Sequence, residues 1–102
     1  MSVSIETKQI PGATVVKLIG DSLEADNVAS FRSAMAPVLD RSPNLVLDLS
    51  NISFMDSTGL GAMLSCLRTV KAKGGNLKLT NLTAEVRQLF EMVLMDRVFE
   101  IE

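Results

Sequence analysis

Residues 44–64 read NLVLDLSNISFMDSTGLGAML: a nearly continuous apolar run, a polar break at Asp56-Ser57-Thr58-Gly59, and then apolar residues again. A run such as NLVLDLS suits a central strand covered on both faces. The residues after the break change period. Leu60, Met63, Leu64, Leu67 and Val70 recur at the three-and-four spacing of one helical face, which predicts a helix from about Thr58 to Lys73. Lys71 and Lys73 complement the negative end of its dipole, and Gly74-Gly75 allow a left-handed cap. A buried strand feeding a helix is the core of a βα unit.

The flanking sequence supplies the remaining elements. SVSIET alternates Val3 and Ile5 with polar residues, and ATVVKLIG holds Val16 and Leu18 on one face, so both read as strands. Between them Pro11 and Gly12 carry the chemistry of a type II turn, which predicts an antiparallel hairpin. From Asp26, the positions Val28, Phe31, Met35, Val38 and Leu39 mark a helix that Pro37 should kink or end. NLKLTN reads as another strand. Thr83 is a fitting N-cap, with Glu85 in the first turn, for a helix carrying Val86, Leu89, Phe90, Val93 and Leu94, and VFEIE supplies a short closing strand. The order ββαβαβα favours one α/β domain over residues 1–102: a mixed sheet with an N-terminal antiparallel hairpin, right-handed parallel crossovers and three main helices.

Composition narrows the chemistry. Ten basic and twelve acidic residues give a net charge of −2, and the basic ones are scattered, so nucleic acid is a poor partner. The N-terminus lacks the basic and then apolar regions of a signal peptide, and no apolar run approaches the ~18 residues of a membrane span. A cytoplasmic protein without membrane insertion, monomeric when free, is the expectation. Cys66 is the single cysteine, expected in the core or at its flank. There is no histidine, which removes the Ser-His-Asp triad, the commonest zinc ligand and a histidine phosphorelay; no cofactor or metal is expected.

A serine or threonine where a strand meets a helix is usually an N-cap. Gly59 and Gly61 fit that reading poorly, because each costs up to ~1 kcal/mol against alanine in the first turn. Glycines there uncover backbone amides, an anion site at the positive end of the helix dipole. Phosphate on Ser57 would add about −1.5 to −2 charges. The helix terminus favours an anion by ~0.3–1 kcal/mol, while two unit charges ~5 Å apart, as with Asp56, repel by about 1–3 kcal/mol. The fold should survive. Burying the dianion under a partner without a matched cation costs several kcal/mol, and each ~1.4 kcal/mol is tenfold in affinity. At ~100° per residue, Ser57, Gly61 and Arg68 share a stripe about 40° wide with Ser65 beside it, the candidate docking surface.

With these residues assembled, the chain resembles a STAS domain, the fold shared by anti-sigma factor antagonists and the cytosolic tails of sulfate transporters. The most specific part is LVLDLSNISFMDSTGLGAML, which looks like the family's strand, Asp-Ser-(Ser/Thr)-Gly-Leu-Gly turn and helix start; GGNLKLTNLTAEVRQLFEMVLMDRVFEI resembles its closing strand and helix. The resemblance implies a stand-alone antagonist whose hydroxyl after the turn's aspartate, here Ser57, is phosphorylated by a partner serine kinase that doubles as the anti-sigma factor. Unphosphorylated protein binds that kinase and frees a sigma factor or other client; phosphorylation ends the binding, and a serine phosphatase resets it. Asp48 and Asp56 match acidic family positions and Thr58 the neighbouring hydroxyl. With Gly59, Gly61, Ser65, Arg68 and Glu24 they make up the implied partner surface. Two places depart from the family: GDSLEAD has one residue more before Leu23 and Glu24, and Val93 stands where a glycine is common.

Other chemistries fit less well. A phosphate receiver would use Asp56 and Asp21 but needs a lysine near its last strand's end. A serine enzyme at Ser57 has no lysine in the motif and no Gly-x-Ser-x-Gly. An aspartic protease needs two paired motifs. No Gly-x4-Gly-Lys-Ser/Thr loop exists, so ATP belongs to the kinase. The remaining alternative is a non-phosphorylated STAS scaffold or a subunit of a lipid or anion transport complex.

Overall fold

The computed structural model describes residues 2–102; Met1 lies outside the described residues. Strands β1 (Ser4–Ile10) and β2 (Ala13–Ile19) form the expected antiparallel hairpin, with Ile10 opposite Ala13. Its tip is Pro11-Gly12, and Gly12 takes the positive φ of 84° that the second central position of a type II turn requires. The chain continues through β3 (Ser22–Leu23), α1 (Val28–Arg41), β4 (Asn44–Asp48), β5 (Phe54–Met55) and α2 (Ser57–Ala72). It closes with β6 (Asn76–Thr80), α3 (Ala84–Met92), a 3-10 turn (Met95–Arg97) and β7 (Glu100–Ile101).

The main sheet runs β1-β2-β4-β6-β7, with β4 central and every pair beyond the hairpin parallel. This is the predicted mixed α/β architecture. One expectation fails: β4 is covered on one face only. Leu45 and Leu47 are buried, whereas Val46 and Asp48 are half-exposed, and the same alternation holds along β2 and β6. The core sits on the face lined by Val16, Leu18, Leu45, Leu47, Leu77 and Leu79, against Phe31, Met35, Met63 and Phe90 of the helices. The other face carries Lys17, Asp48 and Lys78, with Lys78 paired to Glu100 at 3.3 Å. Val15, Ile19 and Val46 share that face and are only partly exposed, with the charged side chains set among them.

The helices refine three further expectations. Helix α1 does not end at Pro37 but runs on to Arg41; Pro37 and Ser33 are both exposed, so the carbonyl that the missing amide leaves free faces solvent. In α2 the fully buried stripe is Gly59, Ala62, Met63, Cys66 and Val70, with Leu60, Leu64 and Leu67 only partly buried at its sides. The small residues, not the leucines, permit close approach to the sheet. Helix α3 stops at Met92. Val93 and Leu94 are 42% and 54% exposed, and Leu94 is left-handed at φ 62°. The residue in the glycine-favouring conformation is therefore Leu94 rather than Val93. Phe90 and Phe99, with ring centroids 5.7 Å apart, tie α3 to the last strand. Among the described residues, no helix is long and apolar enough to cross a membrane.

Candidate functional site

The short strands β3 and β5, which carried no periodic signal, pair in parallel with Ser22 opposite Phe54 and Leu23 opposite Met55. They bring the loop after β2 against the junction that starts α2. Asn27, 4% exposed, shapes that loop: its side chain accepts from Glu24 N (2.8 Å) and donates to Ser22 O (2.9 Å) and Ser22 Oγ (3.2 Å).

The N-cap of α2 is Asp56, not a hydroxyl. Its Oδ1 accepts from Gly59 N at 2.9 Å, and its Oδ2 accepts from Ala25 N at 3.0 Å, so one carboxylate caps the helix and holds the β3 loop. The Gly59 amide is the main reason its pKa lies below the ordinary carboxylate value of 3.8; partial burial opposes this, and the amides of Ala25 and Thr58 add to it. Because the carboxylate satisfies the helix start, the hydroxyls of Ser57 and Thr58 are exposed and make no hydrogen bond among the described residues.

The two glycines of the first turn differ. A Cβ on Gly59 would collide with the Leu23 carbonyl oxygen and lie 2.8 Å from Met55 Cγ, so Gly59 serves the chain's own packing rather than an approaching molecule. A Cβ on Gly61 would meet nothing within 4 Å. Gly61 and Ser65 are half-exposed and Arg68 is exposed, which leaves the stripe beginning at Ser57 open along α2.

Glu24 lies in a shallow cleft of about 300 Å³ with Asp21, Asp26, Ser53 and Phe54. None of these three carboxylates has an ion-pair partner among the described residues. Phe54, 53% exposed, carries no sequence signal that sets it apart. Asp48 is placed differently from the rest: it accepts from Ser50 N at 2.9 Å on the sheet face away from the helices. Burial acts to raise its pKa, but Ser50, Asn81 and the charge of Lys17 outweigh it and hold the carboxyl below its usual value. Cys66 is buried, which pushes its thiol up to about 11 despite Arg32, so it is an unreactive core residue. Two larger hollows, of about 400 and 440 Å³, open around the β1–β2 turn and the start of β4, at the opposite end of the strands from the α2 junction. The described residues contain no cluster of histidine, cysteine or carboxylates able to hold a metal.

Comparison with known proteins places this geometry in context. The family model described as STAS domain matches residues 4–102. The anti-sigma-B factor antagonist of Bacillus subtilis is 29% identical over 101 residues, spanning 99% of this chain and 92% of the relative. A crystal structure of an anti-sigma factor antagonist from Mycobacterium paratuberculosis superposes with a TM-score of 0.78 at 24% identity, covering 97% of this chain and 84% of that one. The Bacillus cell fate determinant SpoIIAA in its phosphorylated form has the same fold, with a TM-score of 0.70 at 20% identity over 97% of this chain and 91% of that one; its unphosphorylated form gives 0.65. With its hairpin, parallel crossovers and Asp-Ser-Thr-Gly helix start, the chain belongs to the STAS domain family.

Proposed function

We propose that this protein is an anti-sigma factor antagonist that works by binding, switched by phosphorylation of Ser57. The observation that carries the reading is the division of labour at the start of α2. Asp56 makes both structural bonds, which leaves Ser57 Oγ exposed and unbonded at the positive end of a 16-residue helix. A kinase can reach such a hydroxyl, and its modification removes no bond from the fold. The names of the relatives support the antagonist role, and the phosphorylated form of SpoIIAA supports a fold that accepts the group.

The partner is an anti-sigma factor that is also a serine kinase and holds the ATP; a serine phosphatase restores the free hydroxyl, in the cytoplasm. Unphosphorylated protein presents Ser57, Thr58, Gly61, Ser65 and Arg68 along α2, with Phe54 as an apolar anchor and Asp21, Glu24 and Asp26 as an acidic rim. That rim calls for basic groups on the partner. Phosphate at Ser57 adds a dianion beside Asp56, so docking would have to desolvate it or repel it, and binding is lost while the domain stays folded.

The test combines mass and affinity. Incubated with its kinase and ATP, the protein should gain about 80 Da on Ser57, and Ser57→Ala should gain nothing yet bind as the unmodified chain does. Ser57→Asp should bind at least ~10-fold more weakly. Equal binding by both variants favours the fixed scaffold or transport subunit instead.

A further inference from the structure

We propose that the free edge of β1 pairs with the same edge of a second copy, so that two domains form one continuous sheet about a two-fold axis centred on Thr7. The two edges of the main sheet are unlike: β7 has two residues, whereas β1 has seven, Ser4–Ile10, all exposed except the half-buried Ile5. Val3 leaves the strand to donate to Ser30 Oγ of α1 at 2.8 Å, which sets the start of the usable edge.

The register with β2 fixes which groups are free. A two-residue turn makes Ile10 and Ala13 a hydrogen-bonded pair, and alternation makes Lys8–Val15, Glu6–Lys17 and Ser4–Ile19 bonded pairs as well. The N–H and C=O groups of Ile5, Thr7 and Gln9 therefore point away from β2, toward solvent. Such a row is a template for another strand.

The sequence of this edge is complementary to itself. In antiparallel pairing centred on Thr7, Thr7 meets its own copy and Ile5 meets Gln9, which uses all the free backbone groups of those residues. Glu6 then lies opposite Lys8 of the second copy, and Lys8 opposite its Glu6, on the sheet face away from the helices. A strand guarded against self-pairing would carry like charges at those positions. This one sets opposite charges face to face, and no residue of the α2 junction takes part, so the contact is compatible with docking at Ser57. Self-association through this edge departs from the expectation of a monomeric free form. A single strand pair is a small contact next to the ~1,200 Å² of stable complexes, so the dimer is weak and concentration-dependent.

Sedimentation equilibrium of the full chain from about 10 µM to 1 mM reads the outcome. A monomer–dimer equilibrium is expected. Lys8→Glu and Glu6→Lys, each checked by circular dichroism to be folded, should each weaken it about tenfold, and an equimolar mixture of the two should associate again as a heterodimer with opposite charges restored. Thr7→Pro, which removes an outward N–H and spares the ladder to β2, should abolish it. A monomer at every concentration overturns the proposal and leaves the edge to solvent or to another protein's strand. A dimer indifferent to all three substitutions overturns it as well, because the contact then lies elsewhere.

Discussion

Helices α2 and α3 both begin where the chain leaves a strand and meets a hydroxyl, yet they use it in opposite ways. At α3 the hydroxyl is the cap: Thr83 Oγ1 accepts from Val86 N at 3.4 Å and donates to Ile52 O at 2.7 Å, half-buried between the helix and the loop after β4. At α2 a carboxylate is the cap, and Ser57 and Thr58 stand exposed beside it. A hydroxyl that closes a helix is unavailable for chemistry, because modifying it breaks the fold. One relieved of that task can be changed without structural loss. On the proposed reading, the pairing of Asp56 with Ser57 is what would let this helix start act as a switch rather than a cap.

The largest effect should come from the close approach that supports the α2 junction. Gly59→Ala forces a methyl group against the Leu23 carbonyl and should lower Tm by ~15 °C or more, whereas Gly61→Ala, with open space around it, should raise Tm by a few degrees. Thermal melts of the two variants read this directly; similar values would show that the β3 loop moves aside easily and that the junction is loosely held.

Next comes the carboxylate. Asp56→Ala removes an acceptor from both Gly59 N and Ala25 N and should lower Tm by ~5–10 °C at pH 7. The pH dependence has a definite sign. Since the folded-state pKa lies below 3.8, the bonds contribute fully above that value and are lost as pH falls through it. The gap in Tm between the natural chain and Asp56→Ala should therefore narrow below about pH 4. A gap constant from pH 3 to 7 would mean that the charge of Asp56 has no structural role.

The smallest effects test the contrast itself. Thr83→Ala should cost ~5 °C, because it removes the cap and strands the Ile52 carbonyl, while Ser57→Ala should stay within ~2 °C of the natural chain. If Ser57→Ala is as damaging as Thr83→Ala, the two helix starts are alike and the argument for a spare hydroxyl fails.

How far these features could be read beforehand depends on whether they are local. The Pro11-Gly12 turn, the Thr83 cap and the alternation of NLKLT depend on neighbours in sequence, and all three were legible. The role of Gly59 depends on Leu23, thirty-six positions earlier, and no local rule could separate it from Gly61. Asp56 was visible as an acid, but its second bond to Ala25 belongs to the β3–β5 pairing, whose strands are too short for a periodic signal. Pro37 does not end α1, because a missing amide matters less where the freed carbonyl reaches water. The bare face of the sheet was hidden because Val46 looks like a core residue until Lys17, Asp48 and Lys78 are seen beside it. Of the proposed site residues, Ser57 and Thr58 could be named from the turn motif and Glu24 from the resemblance of the loop GDSLEAD, whereas Phe54 emerged only once its ring was seen to be exposed.

The most direct measurement is calorimetric titration of the proposed partner kinase with two preparations of this protein, one unmodified and one stoichiometrically phosphorylated on Ser57, each shown to melt as a folded domain. The account predicts that both melt within a few degrees of one another and that phosphorylation weakens binding about a hundredfold or more. Equal affinities for two folded preparations would contradict it.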